Sequence, residues 1–283
     1  MGSGSTGART RVIRRSIAAA GAAVVLLAAA PPARLDPVPA GGQTALVRRY
    51  VDALAAQRFA DAYALLDAPA RAYFRNTKNF ASGFVADGFG IASYAFVGTR
   101  GNAAFRLYFA RESIRLRDPS HDVAATSTVT VPYGVIGSDA RARIKDLGRP
   151  WRAFATSSAS STGGLRVTVK KVSFYRRAIV CVVTFANVGN GFLTLLPYGR
   201  SVLRDDAGHV YRPIVNTTSW NDTDRRLFLG VHLAASAEVT GVLSFASPRL
   251  DDRARSYTLT VAPNVRDGAD APFAVVTGIA APG

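Results

Sequence analysis

The chain has 283 residues, 35 of them Lys or Arg against 19 Asp or Glu, for a formal net charge of +16. Its single cysteine, Cys181, excludes an intrachain disulfide, so the fold must be held by its core alone. Only four of the basic residues are lysine, and the excess is spread over both halves, which reads as compositional bias and solubility rather than a polyanion-binding tail.

The first segment is built for a membrane. Arg9, Arg11, Arg14 and Arg15 are basic with no acidic residue before Asp36, and the run Ile17 to Ala30 is uncharged. About fourteen helical residues span about 21 Å against roughly 30 Å of hydrocarbon, which suits a signal peptide better than a permanent span. Ala28, Ala29 and Ala30 supply the small residues a signal peptidase reads, and Pro31-Pro32 ends the helix. Residues 1–30 are therefore expected to be a signal peptide or an N-terminal anchor. The rest is expected to work outside the cytoplasm, secreted, periplasmic or held on the outer face of the membrane. Contact with the membrane through this segment is expected at least during export. No Cys follows the apolar run, so this is no lipoprotein site. Residues 31–42, rich in Pro and Gly, read as a linker.

Residues 43–156 read as an α+β domain. Leu46, Val47, Tyr50, Val51 and Leu54 make one apolar stripe over a helix from Gln43 to Gln57. Phe59, Tyr63 and Leu66 mark a second helix, and Asp67 and Pro69 end it and start a short third one through Phe74. After Gly83 the period becomes two, with strands expected at 91–97, 104–116, 123–133, 140–144 and 151–155. Phe105, Leu107 and Phe109 share one face, and Arg106, Tyr108 and Ala110 the other. Helices followed by a meandering antiparallel sheet make a layered α+β arrangement.

Tyr50-Val-Asp-Ala-Leu-Ala-Ala-Gln-Arg-Phe-Ala-Asp-Ala-Tyr-Ala-Leu-Leu66 resembles the opening of the nuclear-transport-factor-two-like superfamily. Gly148-Arg-Pro-Trp-Arg-Ala-Phe154 is similar to that superfamily's closing strand, whose Trp packs inside the cone. The resemblance implies a cone-shaped α+β domain and no single activity, because this fold hosts isomerases, dehydratases and non-catalytic extracytoplasmic domains. An isomerase would need a carboxylate and a facing donor in an apolar pocket. Asp52 and Asp61 read as solvent-facing, His121 lies in the turn Asp118–Asp122, and Tyr94, Tyr108 and Tyr133 are possible cavity linings.

Thr156 to Gly164 holds only small or polar uncharged residues, so 157–164 reads as a flexible Ser/Gly linker between two independently folding units. Beyond it, residues 165–283 read as strand throughout, an all-β sandwich. Leu165–Val169 alternates, Lys171–Phe174 does so in part, and Ile179–Phe185 is apolar throughout, as in a strand covered on both faces. Further strands are expected at 201–204, 210–213, 239–245 and 257–261. Val183-Thr-Phe-Ala-Asn187, Leu203-Arg-Asp-Asp-Ala-Gly-His-Val-Tyr211 and Leu233-Ala-Ala-Ser-Ala-Glu-Val-Thr-Gly-Val-Leu-Ser-Phe245 together resemble an immunoglobulin-like family of bacterial extracellular proteins catalogued as a domain of unknown function, although Ala234 and Ala235 stand where that family has Pro-Gly. That resemblance implies a fold and a location, and no reaction.

Cys181, His121, His209 and His232 are scattered over both domains, which argues against a His or Cys metal centre, and Cys181 in its apolar run reads as a buried inert thiol. No phosphate-cradling Gly-rich loop or nucleophile elbow occurs. Asn221-Asp-Thr-Asp224 reads as a solvated turn. No nucleic-acid module is visible, and no catalytic residue, metal or cofactor is assigned. Lys170, Lys171, Arg176 and Arg177, flanking one turn, are the candidate contact for an anionic surface. Two functions stand open: a non-catalytic envelope module for a protein partner or envelope polymer, and small-molecule binding or isomerase-like activity in the cone. A deep cavity holding a carboxylate and a facing Tyr or His would support the second, and a filled cone would support the first.

Overall fold

The structure, a computed structural model, describes residues 35–86, 88–118, 123–145, 149–214, 230–247, 256–261, 265–266, 269–270 and 274–280. The expected membrane-targeting segment, His121 and the Asn221–Asp224 turn lie outside the described residues. Helices come first and antiparallel sheets follow.

Among the described residues four helices come first: α1 (Gly42–Ala55), α2 (Phe59–Ala64), α3 (Ala68–Phe74) and α4 (Thr77–Val85). The apolar stripe of α1 is buried as expected, with Leu46, Val47, Tyr50, Val51 and Leu54 inside and Arg48 and Arg49 outside. Asp67 caps α3, its carboxylate accepting from the Ala70 amide at 2.8 Å, and Asn76 caps α4 in the same way through the Asn79 amide. The fourth helix is an addition to the sequence reading. Its signal is the Asn76 cap with Phe80 and Phe84 one turn apart, and both rings pack against each other and against Phe59, Tyr63 and Phe74.

The first sheet runs in the order β1 (Phe89–Gly101), β2 (Phe105–Asp118), β3 (Val123–Ile136), β4 (Arg143–Lys145), each antiparallel to its neighbour. Tyr108, Ala110, Glu112 and Ile114 of β2 turn inward with Tyr133 and Val135 of β3. The apolar set Phe105, Leu107 and Phe109 therefore lies on the outer face. Leu66 bridges to Ile144 of β4, which ties the end of α2 to the sheet.

The remaining strands are β5 (Arg152–Ala155), β6 (Ala159–Thr162), β7 (Leu165–Phe174), β8 (Ala178–Asn187), β9 (Leu193–Leu195), β10 (Val202–Asp205), β11 (Val210–Tyr211), β12 (Val231–Leu233), β13 (Glu238–Ala246), β14 (Ser256–Val261), β15 (Val265–Arg266), β16 (Ala269–Asp270) and β17 (Ala274–Ala280). A one-turn helix, α5 (Pro197–Arg200), interrupts them. They form three sheets, β13-β8-β7-β5, β11-β10-β14-β17 and β12-β9-β15-β16, with β6 also paired to β7. Phe174 of the first meets Tyr257 of the second at 5.5 Å between ring centroids, so their apolar faces share one core. Alternate residues Ile179, Cys181, Val183 and Phe185 of β8 point into it.

Two expectations need correction. Residues 157–164 are not a flexible linker, because Ala159–Thr162 pairs in register with Leu165–Thr168 as a hairpin turned by Gly163 and Gly164, both at positive φ. The strand after Trp151 does not close the first sheet either. It pairs with β7, from Arg152 opposite Phe174 to Ala155 opposite Lys171. Small side chains without charge suit the edge of a sheet as well as a linker, and composition alone does not separate the two.

The sequence Leu203 to Tyr211 owes its hairpin to one carboxylate. Asp205, buried among apolar neighbours, accepts from the Tyr211 hydroxyl at 2.7 Å, the His209 amide at 2.8 Å and the His209 ring Nδ1 at 2.9 Å. Burial alone would raise its pKa, but the hydrogen bonds from Tyr211 and His209 outweigh that and hold it below the ordinary value.

Candidate functional site

The helix-facing side of the first sheet contains one buried acid among the described residues of that face, Glu112, with no exposed surface. Strand alternation places it on the same face as Tyr108 and Ala110, and opposite Tyr94 on β1. The Tyr133 hydroxyl donates to its Oε1 at 2.5 Å. Tyr133 stands across from Tyr108, so its ring reaches along the sheet past Ala110, whose small side chain leaves the path open. Tyr50 of α1 closes the other side, edge-on to the Tyr133 ring at 5.8 Å.

The electrostatics follow from burial. Removing water from Glu112 raises its pKa, and the Tyr133 hydrogen bond and the Arg149 guanidinium only partly counter this. Tyr133 is held well above its ordinary value by burial and by the Glu112 charge. Among the described residues none hydrogen-bonds to the second carboxyl oxygen, Glu112 Oε2, although that atom is buried. An unmet buried acceptor of this kind costs about 1–3 kcal/mol, more if charged. The pair can hold a proton and can offer one oxygen to a group that enters beside it.

Other candidate groups are committed elsewhere. Asp52 is exposed, as expected, yet it accepts from the Tyr94 hydroxyl at 2.8 Å; burial and that bond raise Tyr94 to about 12. Asp61 is exposed and pairs with Arg58 at 3.1 Å. Tyr108 lies on the inner face at 3.3 Å from the Thr44 hydroxyl. Cys181 is fully buried, and burial pushes its thiol up to about 12, far from the thiolate a nucleophile needs. His232 meets Thr194 at 2.9 Å. Among the described residues no group of three His, Cys, Asp or Glu is placed to hold a metal ion.

The four basic residues named as the candidate anionic-surface contact lie at two separate places. Lys170 is the extra residue of a β-bulge, where the β7–β8 register slips between Val169 and Lys171. The bulge returns Val172 and Phe174 to the core and turns Lys171 to the opposite side, where it is only 7% exposed. Arg176 and Arg177 are exposed in the hairpin turn, about 15–20 Å further along the strand from Lys170.

Glu112 was within reach of the sequence, since it continues the Arg106, Tyr108, Ala110 face. What was missing was which face the helices cover. No family model matches the chain, and no curated protein matches it. Among solved structures, the crystal structure of the yjhA protein from Bacillus subtilis is similar at 24% identity, over 38% of this chain and 79% of that one, with a TM-score of 0.30. A likeness of that size carries no argument about function.

Proposed function

We propose that the protein is exported and that its first unit binds a small molecule beside Glu112 and Tyr133. The observation that supports this is the buried Glu112–Tyr133 pair with Oε2 unmet on the inner face of the sheet. Buried polar groups are nearly always satisfied, so an unmet one marks a place where a ligand group or water belongs. The surroundings are aromatic, from Tyr50 and Tyr133, so the ligand is a largely apolar molecule with a hydroxyl or similar group that both gives and takes a hydrogen bond.

Binding accounts for the residues better than proton transfer does. Asp52 and Asp61 are exposed and paired with Tyr94 and Arg58, and the buried Asp67 is committed to capping α3, leaving Glu112 as the one acid on the inner face of the sheet among the described residues. The nuclear-transport-factor-two-like resemblance of residues 43–156, and the immunoglobulin-like one of 165–283, agree with an exported binding protein of two parts. Export itself rests on residues 9–30 and their charge pattern.

Native mass spectrometry of the full chain, purified from the envelope of the cells that make it, tests the reading. A bound organic molecule at one per chain is expected in the wild type and should be lost from Tyr133→Phe and Glu112→Gln. Identical ligand-free masses for all three would sink it.

A further inference from the structure

The geometry points to the outer face of the β1–β3 sheet as a docking surface for an anionic lipid membrane. One end of this face is apolar: Phe105 and Ile136 are a cross-strand pair at 39% and 38% exposure, and Leu107 and Phe109 continue the row half-buried. Leu35 joins it. Its Cβ stands 2.5 Å from where a side chain at Gly98 would begin, and Gly98 lies opposite Phe109. The glycine is what lets Leu35 lie on the sheet.

Three exposed cations complete the face: Arg100, Arg111 and Arg115, each at an outward register position. Glu112, between two of them in sequence, is turned inward, and no acid occupies a described outward position of β1–β3. Apolar side chains at one end, with arginines following along the same face, suit a bilayer interface, where the apolar rings enter the headgroup region and the guanidinium groups meet lipid phosphates.

The chain itself says which surface lies nearest. The backbone of Asp36 exchanges two hydrogen bonds of 2.9 Å with Thr99, which pins this point to the edge of β1. The apolar run ending at Ala30 lies about five residues before Leu35, and so few extended residues reach under about 18 Å. Where that run stays in the membrane as an N-terminal anchor, the membrane lies within this distance of the face. This step rests on the targeting reading of residues 17–30 and is independent of the Glu112 site. A second copy fits worse, because symmetric pairing would set the arginines of one copy against those of the other.

The test uses the full chain carrying Phe105→Trp, with phosphatidylglycerol vesicles whose acyl chains are brominated. Emission is read as the difference from the unsubstituted chain. Trp at 105 should be quenched, and the apparent affinity should fall at least about tenfold when Arg100, Arg111 and Arg115 are all changed to Glu. Arg176→Glu with Arg177→Glu should leave it unchanged. If the Glu set does not fold, the same three changes to Gln give the comparison. Co-sedimentation without quenching at 105 would show that the N-terminal segment alone holds the protein, and would overturn the proposal. An emission shift that grows with protein concentration without lipid would assign the face to a second copy. An equal shift with a soluble wall polymer would assign it to that polymer, and either result overturns the lipid assignment.

Discussion

Glu112 sits where an ionisable group is most sensitive to its surroundings, sealed from water with one donor on one oxygen. Its pKa is raised in the folded state, so the folded state binds this proton more tightly than the unfolded chain does. Stability from Glu112 is then fully present below the unfolded value near 4.3 and is lost as pH rises through the higher folded value. Gln keeps the acceptor for Tyr133 and cannot ionise. Glu112→Gln is therefore expected to match the wild type at acid pH and to exceed it in stability at pH 8, where the wild type must bury a charge. Thermal unfolding of both proteins from pH 4 to 8 measures this, and parallel curves across the range would contradict it.

At the scale of elements, the decisive strand is β5. Trp151, at its entry, packs against Phe174 of β7 at 5.8 Å, and the Arg75 guanidinium lies over the indole at 4.9 Å. Helix α4 docks on the same strand, with Ser82 Oγ accepting from the Ala153 amide at 2.9 Å. The two halves of the chain therefore meet at β5 rather than being strung on a loose tether. A fragment of residues 149–283 keeps β5, β6 and the Trp151–Phe174 contact, whereas one of residues 165–283 exposes the edge of β7. Loss of the buried Trp151 and Phe154 alone should cost several kcal/mol, since truncating one such aromatic costs about 3–5. Circular dichroism melts should show the longer fragment unfolding cooperatively at a clearly higher temperature. Equal melting temperatures would return β5 to the first unit.

For the whole molecule, the two faces of the first sheet differ: the inner one carries the Glu112 pair and the outer one presents apolar residues and arginines. The two roles proposed for these faces rest on the proposed delivery across a membrane. Leu26→Arg with Leu27→Arg puts two charges at the centre of the apolar run, at about 2.5–3.5 kcal/mol each in a bilayer. The precursor carrying them should stay in the cytoplasm, as read by cell fractionation. Normal delivery of that variant would remove the basis for placing the protein outside the cytoplasm.

The amino-acid sequence by itself determined the features that depend on neighbours in the chain. The stripe of α1 follows from helical spacing, the burial of Cys181 from its apolar run, and the turn at Tyr175–Arg177 from the break between two strands. Tertiary structure decided everything that depends on which face is covered and which strand lies alongside. Alternation on β2 separates Phe105, Leu107 and Phe109 from Tyr108, Ala110 and Glu112, but the more apolar set is the one left outside, because the four helices lie over the other face. The partner of β5 is a strand from the later sheet, reached through a hairpin whose residues look like a linker. One bulge at Lys170 shifts the alternation of β7, so that Val172 and Phe174 rather than Lys171 and Ser173 face the core. Local spacing carries the period of a pattern, whereas pairing and coverage are non-local contacts that only the folded chain makes.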